Sequence, residues 1–320
     1  MSDFDCVLTS YAQTYKPFHE DWAMELAKEH ENKHWIEEEA DLSSDVSDWK
    51  NKLTDSERNL VHQILRLFTQ SDVQVGQNYC EFYIPTFKNN EVRCMLLSFA
   101  AREGVHQRAY ALLNDTINLP ESDYRAFLDY EEMADKIEFM ADQCTDTKVG
   151  VGLALSKTVF NEGCSLFGAF SLLFNLTRSG RMKGMGEIVR WSIEDEDLHV
   201  QGMSKLFRRW CEEHPSIVTD EFKRNIYEQA RITAELECAF IELAFDQFEI
   251  ANINKDEIKA FVKYLCDRRL TQMGLKPNFN VPSNPLPWMD EIVGGSTLTN
   301  RFEARATDYT KVSMEGVWGW

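Results

Sequence analysis

Over long stretches of this chain apolar residues recur at steps of three and four, the period at which a helix buries one face. No run alternates convincingly in the way a half-buried strand needs. The pattern predicts helices over Asn90 to Asn118, Asp123 to Cys144, Val149 to Arg178, Lys183 to His214, Val218 to Ile250 and Lys255 to Met273. A further helix is expected from the capping-box spacing Thr54-Asp-Ser-Glu57 to about Asn78. Asp21 to Asp41, dense in charge, reads as an exposed helix and turn, and Ser44 to Asp48 offers N-cap chemistry. Four of the eight prolines fall between Pro277 and Pro287, so the body before them has few breakers. An extended segment follows Lys276. The expected organisation is all-α, one domain over 1–290 and a tail over 291–320 ending Val317-Trp318-Gly319-Trp320.

Four of the stripes carry polar residues where apolar ones are expected. Leu96, Phe99, Glu103, His106, Tyr110 and Leu113 form one, and Met185, Val189, Ser192, Glu196, His199 and Met203 another. Each holds a Glu-x-x-His pair, two ligands on one helix face that can grip one metal ion. The spacing alone is weak evidence, because Glu31-Asn-Lys-His34 has it inside a solvated charged run. Two more stripes hold one carboxylate each: Val61, Leu65, Phe68, Asp72, Val75, and Leu155, Val159, Glu162, Leu166, Ala169, Leu173. Asp72 precedes Glu103 by 31 residues and Glu162 precedes Glu196 by 34, so the chain contains an internal repeat of a carboxylate helix followed by a Glu-x-x-His helix.

Energetics decide how to read the four carboxylates. Buried and uncompensated, each would cost several kcal/mol, against a typical domain stability of about 5 to 15 kcal/mol. Arg102 and Arg190 could offset some of this charge, but two divalent cations balance it completely. Oxygen-rich ligation with one imidazole per metal suits iron or manganese better than zinc. This is the donor pattern of ferritin-like di-metal bundles, with Asp72 in place of one Glu. Such bundles store iron, hydroxylate, desaturate or make radicals. Tyr110, one turn beyond His106, narrows the choice, since a phenol beside an O₂-activating metal pair is a one-electron donor. Full reduction of O₂ takes four electrons: two from the metals, a third from the phenol and a fourth from outside.

Composition removes other classes. The chain has 320 residues, 43% of them hydrophobic, and a mean hydropathy of -0.41, as expected of a soluble globular protein. With 53 acidic against 34 basic residues and a net charge of -19, a surface that tracks nucleic acid is not expected. The apolar stretch Leu166 to Leu176 is about half of the roughly 20 residues that span a bilayer. The start Met-Ser-Asp-Phe-Asp-Cys lacks the features of a signal peptide, so a cytoplasmic location is expected. Eight cysteines without a Cys-x-x-Cys pair read as reduced thiols.

Together these residues resemble the small, radical-generating subunit of class I ribonucleotide reductase. The resemblance runs from about Trp35 to Trp288 and rests on Asp72, Glu103-x-x-His106-x-x-x-Tyr110, Glu162, Asp195-Glu-x-x-His199 and Asn284-Pro-Leu-Pro-Trp288. It implies two iron ions per chain, with manganese or a mixed pair as alternatives. Asp72, Glu103 and His106 would bind one metal and Glu162, Glu196 and His199 the other, with Glu103 and one or more of the second-half glutamates bridging. It further implies a radical on Tyr110, formed with O₂, and its transfer through Asp195 and Trp35 to a separate large subunit that reduces ribonucleotides. Tyr309 would be the relay on the tail, and Val317 to Trp320 the docking end. A homodimer is expected. Ser192 departs from the apolar radical pocket the family tends to keep, and the tail is short. The competing readings are a stand-alone ferritin-like di-metal oxidase or hydroxylase, from which Tyr110, Trp35 and Tyr309 together separate the radical subunit, and an iron-storage bundle, against which the extra helices from Val218 to Met273 and the aromatic-ended tail argue. No Gly-x-x-x-x-Gly-Lys-Ser/Thr loop is present, so nucleotide chemistry is assigned to the partner chain.

Overall fold

Thr54 starts the first core helix as its spacing requires: Glu57 N–H donates to Thr54 Oγ1 at 3.2 Å, and the Glu57 carboxylate accepts from Thr54 N–H at 2.9 Å. The computed structural model describes residues 6–121, 124 and 130–292. Among them the long elements are all helical: α1 (Asp21–Asn32), α2 (Ser43–Asn51), α3 (Asp55–Asn78), α4 (Ile84–Thr86), α5 (Asn90–Thr116), α6 (Glu131–Ala141), α7 (Lys148–Cys164), α8 (Phe167–Thr177), α9 (Lys183–Glu213), α10 (Asp220–Gln247), α11 (Lys255–Gln272) and α12 (Pro287–Ile292). A π-helical turn, Tyr79–Tyr83, joins α3 to α4.

The repeat in the sequence is a repeat in space. α3 packs on α5, α7 packs on α9, and α5 meets α9, so the two carboxylate helices and the two Glu-x-x-His helices form one four-helix unit. Every residue of the four stripes is buried. α1 covers α5 and α9, while α10 and α11 cover α7.

Several expectations are corrected. The helix expected over 149–178 is two, because the chain turns at Ser165 and Leu166. There the Lys136 ammonium takes the Ser165 carbonyl at 2.5 Å, and the Glu237 carboxylate takes Gly168 N–H at 2.8 Å. Lys148–Thr177 is apolar enough to pass for a membrane span, yet 94% of its most apolar window is buried inside the bundle. Asp45 and Asp48 cap a distant helix instead of their own: Asp48 accepts from Met182 N–H, and Asp45 from Gly184 and Met185 N–H, at 2.7 to 2.9 Å. Gly184 is required at that docking point, since a Cβ there would lie 2.5 Å from the Asp41 carbonyl oxygen. α1 is not simply exposed, as it buries Ala23, Met24, Ala27 and His30. The extended segment after Lys276 ends in the short helix α12. The tail, with Tyr309 and Val317 to Trp320, lies outside the described residues.

Candidate metal centre

All six predicted ligands meet in the middle of the four-helix unit. One oxygen or nitrogen from each of Asp72, Glu103, His106 and Glu196 lies within 4.8 Å of the others, and the same holds for Glu103, Glu162, Glu196 and His199. Glu103 and Glu196 belong to both groups. They stand at equivalent places on α5 and α9, so the repeat puts them face to face. His106 Nδ1 is 3.3 Å from Glu196 Oε1, and His199 Nδ1 is 3.2 Å from Glu103 Oε1 and from Glu162 Oε2.

The donor atoms fit a pair of cations. Asp72 Oδ2, both Glu103 oxygens, Glu196 Oε2 and both histidine Nδ1 atoms are buried and make no hydrogen bond among the described residues. Orphaned polar atoms at this density are rare in a folded protein. The electrostatics agree. Burial drives Asp72 well above the ordinary carboxylate range and lifts Glu162 to about 7. Burial opposes charge on Glu196 too, but His106 and His199 outweigh it and bring the group down to about 2. For both histidines burial is outweighed by the surrounding carboxylates, so protonation is favoured. Ligand groups coupled this strongly are ones at which cations would compete with protons.

The neighbouring residues are in reach of this cluster. His106 turns Nε2 to Asp195 Oδ2 at 3.2 Å, and the Trp35 indole N–H donates to the same oxygen at 2.8 Å. Trp35 lies over the His106 ring with centroids 5.8 Å apart and also meets Trp191, tilted, at 5.1 Å. Burial raises the Tyr110 phenol, whose O–H donates to Ser192 Oγ at 3.1 Å while Ser192 donates to the Ile188 carbonyl at 3.0 Å. Phe68 closes one side of the Tyr110 ring at 5.2 Å.

Two residues at the cluster were not anticipated. The Tyr79 O–H donates to Glu162 at 2.9 and 3.0 Å from its two oxygens. Tyr79 stands four residues past Val75 on the Asp72 stripe, so the signal was present. His30 Nε2 lies 3.2 Å from His199 Nε2, at the far side of that ring. Burial pushes His30 down to about 2, so the ring is neutral. Its signal was the step from Ala23 through Ala27 to His30, hidden in a charged run.

The family profile described as ribonucleotide reductase, small chain, matches residues 12–285. The chain is 38% identical over 327 residues to the probable ribonucleoside-diphosphate reductase small subunit 048L of invertebrate iridescent virus 3, covering 96% of this chain and 86% of that one. Among solved structures, the ribonucleotide reductase R2 subunit from Clostridium botulinum superposes with a TM-score of 0.78 at 23% identity, over 85% of this chain and 88% of that one. The dimanganese(II) NrdF of Streptococcus sanguinis gives 0.76 at 18% identity, over 89% and 98%. At such identities these two likenesses speak for the fold, a ferritin-like bundle.

Proposed function

The chain belongs to the ribonucleotide reductase small-chain family, and from that premise we propose that its buried cluster holds two metal ions and that Tyr110 is the residue oxidised there. As a small subunit of ribonucleoside-diphosphate reductase it works with a large subunit, on which ribonucleotides are reduced. The observation that carries the site assignment is the convergence of six candidate ligands, five of them with orphaned donor atoms, with Tyr110 one helical turn from His106.

Asp72, Glu103 and His106 would hold one ion and Glu162, Glu196 and His199 the other, Glu103 and Glu196 belonging to both groups of donors. Iron or manganese bound here supplies electrons for reducing O₂, coupled to oxidation of a nearby phenol. The chain's part is to orient, exclude water and manage protons. Asp195 fixes the ring plane of His106 and its Nε2 proton, which leaves Nδ1 free for a metal. Phe68 and the burial of Tyr110 keep solvent from the phenol oxygen, and Ser192 Oγ holds its O–H. If Trp35 supplies the electron that O₂ reduction still requires beyond those from the metals and the phenol, its Nε1 proton has an acceptor already in place in Asp195 Oδ2.

The stand-alone oxidase or hydroxylase reading gives way to this one on family membership, and the Trp35–Asp195–His106 chain gives a large subunit something to draw on. We assign the tail to docking, Tyr309 to its relay, and the working form to a cytoplasmic homodimer, which sedimentation of the purified protein tests. Metal analysis joined to electron paramagnetic resonance, on the loaded protein and on Tyr110→Phe, tests the site.

A further inference from the structure

The two candidate ligand histidines rest on different supports. His106 Nε2 faces a carboxylate, Asp195, which Trp35 and the Arg102 guanidinium at 3.5 Å hold in place. His199 Nε2 faces a second imidazole, His30, where His106 has a carboxylate. His30 comes from α1, outside the four-helix unit. It is 1% exposed, packs edge-on to Phe99 with centroids 5.1 Å apart, and puts Nδ1 2.7 Å from Ser98 Oγ. Asp195 Oδ1 lies 3.7 Å from His30 Nε2, beyond hydrogen-bond reach.

Ring chemistry fixes the proton positions. A histidine that ligates through Nδ1 carries its proton on Nε2. His199 Nε2–H therefore donates to His30 Nε2, which must be bare, so His30 keeps its proton on Nδ1 and donates it to Ser98 Oγ. A carboxylate acceptor makes a ligating imidazole more basic than a neutral acceptor does. The carboxylates differ in the same sense. Glu162 spends lone-pair density on the Tyr79 O–H at both oxygens, whereas Asp72 Oδ2 has no hydrogen-bond donor among the described residues.

We propose that His30 is a positioning residue for the Glu162/His199 metal site, and that an imidazole support where His106 has a carboxylate, with Tyr79 on Glu162, makes this site the weaker of the two. The Asp72/His106 site fills first and the Glu162/His199 site second. This rests on the two-metal reading above.

The test is an anaerobic titration of the metal-free, full-length protein with Mn(II), following the free ion by electron paramagnetic resonance. The wild type should take up two ions per chain in two steps, the second at least about tenfold weaker. His30→Leu should weaken the second step by roughly 10- to 100-fold more and leave the first unchanged. His30→Gln, whose amide oxygen restores an acceptor, should return the second step to within a few-fold of wild type. Equal steps in the wild type overturn the proposal without any variant. A second step unmoved by His30→Leu, in protein whose metal-free melting matches wild type, overturns it as well. A wild type that takes up no Mn(II) contradicts the two-metal reading instead.

Discussion

Asp195 Oδ2 lies 2.8 Å from the Trp35 indole nitrogen and 3.2 Å from His106 Nε2, so one carboxylate oxygen joins a candidate metal ligand to a tryptophan. Removing either partner should have separable effects. Asp195→Ala leaves the His106 ring unheld and should lower affinity for metal at that site by about 10- to 100-fold, read by metal titration. Trp35→Phe keeps a ring over His106 and should retain metal content while losing most turnover with the large subunit.

Glu103 and Glu196 contribute to both groups of donors, whereas Asp72 and Glu162 each contribute to one. Glu103→Ala should therefore abolish tight binding of both ions. Asp72→Ala and Glu162→Ala should each leave one. Metal counted per chain after gel filtration distinguishes the two patterns.

Gly202 sits where a helix must come close to the ring beside His199. A Cβ there would lie 2.8 Å from Phe99 Cε2 and 3.0 Å from Met95 Sδ, and the Phe99 ring centroid is only 4.4 Å from that of His199. Gly202→Ala should cost about 1 to 3 kcal/mol by overpacking, measured by denaturant unfolding. It should also loosen metal at the His199 site, where a cost confined to the core would not.

Deleting Val317 to Trp320 should leave metal content and the radical unchanged and abolish activity with the large subunit. Activity assayed beside the radical signal checks both halves of that statement.

The stripes made the centre readable because a charged or imidazole group stands out on an otherwise apolar helical seam, and the repeat supplied the second half from the first. His30 escaped because α1 packs through Ala23 and Ala27, residues too small to mark a seam within Lys28-Glu-His-Glu-Asn-Lys-His34. Tyr79 escaped for a different reason. A phenol on a seam looks like packing until its partner, 83 residues away on α7, is known. The break between α7 and α8 depends on Lys136 and Glu237, and the α9 start on Asp45 and Asp48. Those are contacts between distant parts of the chain, which local periodicity does not encode.

The central claim is that the buried cluster loads two metals and oxidises Tyr110. The most direct measurement is electron paramagnetic resonance, with metal analysis, on metal-free protein given Fe(II) and then O₂. The account predicts a tyrosyl-radical signal in the wild type and its loss in Tyr110→Phe, with metal near two ions per chain in both. Wild-type protein that carries its metals, iron or manganese, and shows no such radical would contradict it.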